Sequence, residues 1–329
     1  MSNDLIVSAP GKVMVSGEYV VLTGSTALVA ATDARVRVHL SPRAPDGSPL
    51  PVGGSQDPRT LPPEALLAHR LAEEVLGLLP PMNLSVDTRA LREGDRKLGL
   101  GSSAAAAAGV VAAVAAAHGL DVTSPHVRAR LLPIALEGHR AVAPDGSGAD
   151  VAASMLGGLV RVRREGGSVE ATSVAWPSSL HFALLWTGSP ARTSDLVARV
   201  RAAAARDAAG HERALGPLRE AASRLLDAIE RDDRVAAIDA VDAHHEAMSD
   251  LGRWADAPIV TPSLARAAQL ARDVGGASKP SGAGGGDVAL AVLPDASART
   301  ALEHACLAAG LTLLPLRLGD GGPCVELPA

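Results

Sequence analysis

Apolar and polar residues alternate along 34–40 (Ala-Arg-Val-Arg-Val-His-Leu), the pattern of a strand with one face buried. Strands are also predicted at 4–9 and 13–22, joined by Pro10-Gly11-Lys12. The stretch 41–63 is rich in Pro, Gly, Asp and Ser and reads as a loop. Helical spacing returns over 64–78, followed by a candidate strand at 82–88. A glycine-rich turn at 99–101 precedes an alanine run at 104–118, with Ser102 or Ser103 as N-cap and His118-Gly119 as the stop. Further helices are expected over 125–140 and from Asp150 to about Leu156, where Gly157-Gly158 breaks the pattern before a strand at 159–163. The second half predicts strands at 180–186, 287–293 and 311–317 and helices at 193–209, 212–231, 234–251, 263–274 and 296–309. No regular βαβ rhythm or internal repeat appears, so the expectation is an α+β, two-lobed protein divided near 165–180.

Composition narrows the class. A chain of 329 residues accommodates one large or two ordinary domains. With 47% hydrophobic but only 2% aromatic residues, its core must be built from Ala, Val and Leu. The formal net charge is −5, and the arginines are interspersed with Asp and Glu. The absence of a basic stripe with interleaved aromatics argues against a nucleic-acid partner. Cys306 and Cys324 show neither metal-binding nor framework spacing, which suits a reducing cytoplasm. The N-terminus has no signal-peptide pattern, and the apolar run 104–117 is too short to span a bilayer. A cytoplasmic protein without a membrane partner is expected.

Lysine usage points to chemistry. Of 31 lysines and arginines, only Lys12, Lys97 and Lys279 are lysines, and each lies in or beside a glycine-containing segment. A compact ammonium and a flat guanidinium are not interchangeable in a crowded anionic site. Gly-Leu-Gly-Ser-Ser-Ala (99–104) suits phosphate: backbone N–H groups can approach oxygens, and a helix start supplies a positive dipole end. Ser102 and Ser103 can cap the helix, bind phosphate or ligate Mg2+. The same string satisfies G-x-G-x-x-A, with Asp121 at a tolerable distance for a ribose contact, but a dinucleotide fingerprint must follow a buried strand, whereas 92–97 is Arg-Glu-Gly-Asp-Arg-Lys. A Walker Gly-Lys-Ser/Thr ending is absent, and an ordinary tight turn is the plainest alternative. Ser-Gly-Ala-Gly-Gly-Gly-Asp (281–287) suits a loop lying against a ligand or the other lobe, a flexible linker being the alternative. Ala-Pro-Gly-Lys (9–12) followed by Gly17-Glu18-Tyr19 sets a cation and a carboxylate near the first turn.

These three segments, in this order, resemble the GHMP kinase superfamily (galactokinase, homoserine kinase, mevalonate kinase and phosphomevalonate kinase), and the resemblance spans essentially the whole chain. It implies an α+β fold with an N-terminal mixed α/β lobe (1–170) and a C-terminal ferredoxin-like lobe (171–329), with ATP and substrate in the cleft between them. Lys97 ahead of the glycine loop, Gly-Glu-Tyr at 17–19, Gly146 to Ala153, Trp186-Thr187-Gly188 with Thr193 to Val197, and the Gly286-Asp287 ending are most similar to the phosphomevalonate kinases. That branch implies transfer of the ATP γ-phosphoryl to (R)-5-phosphomevalonate, giving 5-diphosphomevalonate and ADP, with Mg2+ as companion ion. Mevalonate kinase or another small-molecule kinase of the superfamily is the alternative; a non-catalytic metabolite-binding protein is a remote one.

The resemblance also implies roles for residues. Lys12 bridges acceptor and γ-phosphate, its alternative being a surface turn lysine. Asp150 matches the proposed base of mevalonate kinases; with a phosphate acceptor it orients Lys12 or the metal, and a helix N-cap is the structural alternative. Lys97, Gly99, Leu100, Gly101, Ser102, Ser103 and Ala104 hold the ATP phosphates. Ser147, Arg192, Ser194, Lys279, Gly282, Ala283 and Gly284 join Lys12 on the substrate. Ser103 and Glu137 are the expected metal ligands, with His139 competing for the place of Glu137. His244-His245, on a charged helix, are expected to be solvated, and the protein to be a monomer or homodimer.

Overall fold

The computed structural model describes residues 4–42 and 61–326, so most of the loop expected at 41–63 lies outside the described residues. The chain opens with β1 (Leu5–Ser16), which runs straight through Pro10-Gly11-Lys12 with a register shift there instead of breaking into two strands. Residues 17–22 do not continue it. Gly17 and Tyr19 take positive φ values of 91° and 64° and lead into a 3-10 turn at Val20–Thr23. The antiparallel β2 (Thr26–Pro42) is twice as long as the alternation suggested, because Ala27–Ala31 are buried on both faces and show no period of two.

Helix α1 (Pro63–Leu76), β3 (Met82–Asp87) and a hairpin of β4 (Arg92–Glu93) and β5 (Arg96–Lys97) lead to α2 (Ser102–Ala117). Every residue of α2 from Ala104 to Ala115 is buried. Such a helix belongs inside the core, and its small side chains let β1, β2, α1, α3 (Pro125–His139) and α4 (Ala149–Leu156) approach closely. Strands β6 (Leu159–Glu165) and β7 (Ser168–Val174) complete this half; β7 is an edge strand whose Val169, Ala171 and Val174 are only partly buried against the core.

The second half comprises β8 (His181–Trp186), α5 (Thr193–Arg206), α6 (Ala208–Glu230), α7 (Arg234–Ala255), α8 (Pro262–Asp273), β9 (Ala277–Pro280), β10 (Val288–Leu293), α9 (Ala296–Ala308) and β11 (Thr312–Leu314). Its antiparallel sheet has the order β11-β8-β10-β9, the arrangement of a ferredoxin-like βαββαβ unit. The last strand, β12 (Cys324–Glu326), returns to the first sheet and pairs with β1, giving the order β12-β1-β2-β6-β7 with β3 on the other stretch of β2. The line at 170 thus falls within β7, and 324–326 sits on the N-terminal sheet. One hydrophobic core joins both halves, including Val13, Leu28 and Val111 from the first and Leu184, Leu225 and Leu290 from the second. Among the described residues no helix is long and apolar enough to cross a membrane.

Candidate active site

Lys12 sits at the irregularity in β1, and its backbone N–H donates to the Leu100 carbonyl at 2.8 Å, docking the glycine loop on the strand. The loop is shaped for that contact. Gly101 has φ 74°, and a Cβ there would lie 2.8 Å from Cγ and 2.9 Å from Cε of Lys12. The lysine stem therefore passes directly over the residue that caps α2. Gly101, not Ser102 or Ser103, is the N-cap, so both serines fall within the first helical turn without a side-chain cap bond. Their N–H groups and that of Ala104 are among the donors a helix start leaves without intrahelical partners. An ammonium, free N–H groups and two hydroxyls converge on one spot, a site for anionic oxygens.

A second line of groups meets Ser103. Its Oγ lies 3.0 Å from Nε2 of the buried His139, and that nitrogen lies 3.9 Å from Oδ2 of Asp150. Asp150 stands in the first turn of α4, where Gly148 caps with φ 75° and Ser147 Oγ accepts the Ala149 N–H at 3.3 Å. Glu137 is not part of this group. It projects to solvent, paired with Arg140 at 2.8 Å, because two residues along a helix carry it round to the opposite side from His139. The expected pairing of Glu137 with Ser103 is therefore not met; Ser103 is brought together with His139 and Asp150 instead. Lys97 is exposed on β5, two residues ahead of Gly99. Leu100 contributes its carbonyl while its side chain is buried, and Ala104 is buried too.

The glycine run 281–286 is held by a buried charge cluster. Lys279 is fully buried, its ammonium bonded to Glu18 and to the Pro280 carbonyl, so it cannot contact substrate as expected. His244 Nε2 lies 3.1 Å from Glu18 Oε2, at an angle too poor for a hydrogen bond. Burial alone would raise the Glu18 carboxyl, but Lys279 and His244 together hold it down at about 2. Burial pushes His244 down, and His245 likewise, so the expectation that this pair is solvated is also corrected. The cluster stitches the run to β1: Glu18 accepts the Gly282 N–H at 3.3 Å, the Tyr19 hydroxyl donates to the Ala283 carbonyl at 2.6 Å, and Ser281 Oγ accepts the Met14 N–H at 3.0 Å. A Cβ on Gly282 would meet open space, whereas one on Gly284 would strike the Ile259 carbonyl. Gly282 is thus free to face a ligand, and Gly284 serves packing.

Arg192 and Ser194 lie at the start of α5, both exposed; the guanidinium is 4.0 Å from Asp195 and Ser194 Oγ is 3.4 Å from the same carboxylate. Sequence reasoning left one residue out of the site, Asp287. Its side chain rests against Gly99, where a Cβ would approach it to 2.5 Å, and its Oδ1 accepts the Ala191 N–H at 3.0 Å. Burial pushes its carboxyl up, partly offset by the Ala191 bond and by Lys12. The available signal was an acidic residue closing a glycine run, which alone does not separate a site residue from a turn.

The chain is similar to known proteins over most of its length. The family of GHMP kinases N terminal domains matches residues 65–158, and that of GHMP kinases C terminal domains matches residues 225–310. The phosphomevalonate kinase of Streptomyces sp. (strain CL190) is 31% identical, the alignment covering 91% of this chain and 92% of that protein. Among solved structures, a Lin0012 protein from Listeria innocua superposes with a TM-score of 0.82 at 24% identity, over 99% of this chain and 100% of that one. Streptococcus pneumoniae phosphomevalonate kinase in complex with phosphomevalonate and AMPPNP superposes with a TM-score of 0.77 at 22% identity, over 95% of this chain and 99% of that one.

Proposed function

The chain belongs to the GHMP kinase family, and from that premise we propose that it transfers the γ-phosphoryl group of ATP to 5-phosphomevalonate, giving 5-diphosphomevalonate and ADP. The observation that carries the reading is Lys12 laid over Gly101 at the start of α2, an ammonium beside a helix N-terminus that carries the Ser102 and Ser103 hydroxyls. The relative at 31% identity supports the choice of acceptor. Phosphoryl transfer is chiefly a matter of positioning and charge neutralisation. A phosphate monoester, with a second pKa of about 6, is already largely dianionic near neutrality and needs no base. What it needs is positive charge, because two anions must be brought into line. Lys12 supplies that between donor and acceptor, and Arg192 with Ser194 takes the acceptor phosphate. The loop 99–104 receives the nucleotide phosphates through its N–H groups, and Gly282 borders the substrate.

The donor set suits Mg2+. Among the described residues no three His, Cys, Asp or Glu side chains form a metal cage. Mg2+ at phosphates takes only one or two protein ligands and keeps water and phosphate oxygens for the rest. The Ser103 hydroxyl and the Asp150 carboxylate would hold it, linked through His139. Bound there, the ion would neutralise charge on the phosphoryl oxygens. His139 keeps the Ser103 hydroxyl oriented, and Asp150 acts on Lys12 or the ion instead of removing a proton from the acceptor.

The test is turnover of the purified protein with ATP and Mg2+, read as ADP release, with 5-phosphomevalonate and mevalonate offered separately. Turnover of the phosphate alone is expected. Turnover of mevalonate alone would overturn the reading of the acceptor and make Asp150 the base.

A further inference from the structure

Asp287 has no part in the phosphoryl-transfer scheme, yet three segments converge on it. Its backbone N–H donates to the Ser189 carbonyl at 2.8 Å, and its carbonyl accepts from the Thr187 N–H at 2.9 Å and the Thr187 hydroxyl at 3.0 Å. Its carboxylate accepts the Ala191 N–H, lies against Gly99 and feels the charge of Lys12. The residue holds φ 53°, a left-handed conformation that L side chains other than Asn and Asp seldom adopt. Neighbouring Gly286 is pressed so close to the same turn that a Cβ would lie 2.5 Å from the Ser189 carbonyl. Backbone strain and close packing are thus concentrated where the two halves meet beside the nucleotide loop.

Immediately after Ala191 comes Arg192, then α5 with Ser194 in its first turn. From the first half, the Arg96 guanidinium also reaches this turn, donating to the Gly188 carbonyl at 3.1 Å. We infer that Asp287 is a positioning residue that fixes the turn 187–191 against the glycine loop and thereby sets where Arg192 and Ser194 meet the acceptor. The inference rests on the acceptor role given above to the start of α5. It explains why a carboxylate stands beside a site built for anions: Oδ1 is occupied by a backbone donor and the other oxygen is packed against Gly99. The charge serves the protein's own N–H, and Lys12 offsets it.

Two variants separate the bond from the charge and from strain. Asp287→Gly removes the carboxylate without a penalty at φ 53°. Asp287→Asn tolerates that φ and keeps an oxygen to accept the Ala191 N–H. Full-length variants would be assayed with ATP and Mg2+ for the KM of each substrate, and segment 187–196 followed by hydrogen exchange. Asp287→Gly is expected to raise the acceptor KM by about tenfold or more, to change the ATP KM by less than about threefold, and to speed exchange in 187–196. Asp287→Asn should stay within about threefold of the parent in both KM values and keep the segment protected. Unchanged exchange in Asp287→Gly overturns the inference. So does an equal rise in both KM values, or an Asn variant as impaired as the Gly variant. Failure of the parent protein to use 5-phosphomevalonate would strike the functional reading instead, and the exchange measurement would still decide the role of Asp287.

Discussion

At Gly101 two demands meet: a backbone at φ 74° and a lysine stem packed where a Cβ would stand, 2.8 Å from Lys12 Cγ. Gly101→Ala meets both obstacles at once. A left-handed alanine costs about 1–2 kcal/mol, and the stem of Lys12 must swing aside. Since misplacing a catalytic group by about 1 Å can cost about a hundredfold in rate, kcat should fall by about that factor while the fold persists. Steady-state assay alongside circular dichroism checks this; unchanged kcat would mean that Lys12 works from another position. The three lysines also show how far a residue count carries. Lys12 lies over the start of α2, Lys97 is exposed, and Lys279 is buried against Glu18. Its ammonium, fully buried, donates to Glu18 and to the Pro280 carbonyl, a point-charge role that a flat guanidinium does not reproduce.

Among the elements, the turn after β1, strand β9 and helix α7 are bound through Glu18, Lys279 and His244. Folding keeps the Glu18 carboxyl near 2, against 4.5 when exposed, so its contribution is fully present above about 4.5 and is lost as pH falls towards 2. Burial depresses His244 below 6.5, so below that pH the unfolded chain binds the extra proton and stability falls. His245, depressed by burial as well, adds in the same direction. From these three groups the melting temperature should decline on acidification below about pH 6.5 and drop more steeply below about 4.5. Lys279→Met, which strands a buried carboxylate, should destabilise by about 3–5 kcal/mol, and adding Glu18→Gln should recover part of the loss. Denaturant titrations at pH 7 and pH 5 test both statements; a Lys279→Met variant as stable as the parent would show that the pair contributes nothing. This cluster was closed to sequence reading, because its members stand 261 residues apart between Glu18 and Lys279. The glycine loop, the alanine helix and the Asp150 turn were legible because each is a local pattern of capping, periodicity and small residues. His139 and Glu137 share one helix, and only packing decides which of them faces Ser103.

For the whole molecule, the mixed order of strands and helices, without a regular βαβ rhythm, conveyed two lobes, but not their dependence on each other. β12 has three residues and β7 buries its Val169, Ala171 and Val174 only in part, so neither stands out in the chain; yet β12 carries the C-terminal segment back onto β1. Arg35 fastens that return, bonding to Ser8 Oγ at 2.9 Å, Asp320 Oδ2 at 2.5 Å and the Gly322 carbonyl at 2.7 Å. The core is continuous as well, with Leu184, Leu225, Ile229, Val241 and Leu290 packed in the same cluster as Val13, Leu28 and Val111. A fragment ending near residue 175 would keep the first sheet and α2 but lose β12 and every apolar partner from the second half. Each large side chain so exposed forfeits about 1.5–3 kcal/mol, and a handful of them exceeds the 5–15 kcal/mol by which a typical domain is stable. The fragment 1–175 is therefore expected to lack a cooperative thermal transition and dispersed amide resonances, and to gain both on mixing with residues 176–329. A cooperative transition in the isolated fragment would show that the lobes fold independently, and that the shared core governs how they are set around the cleft and not whether they form.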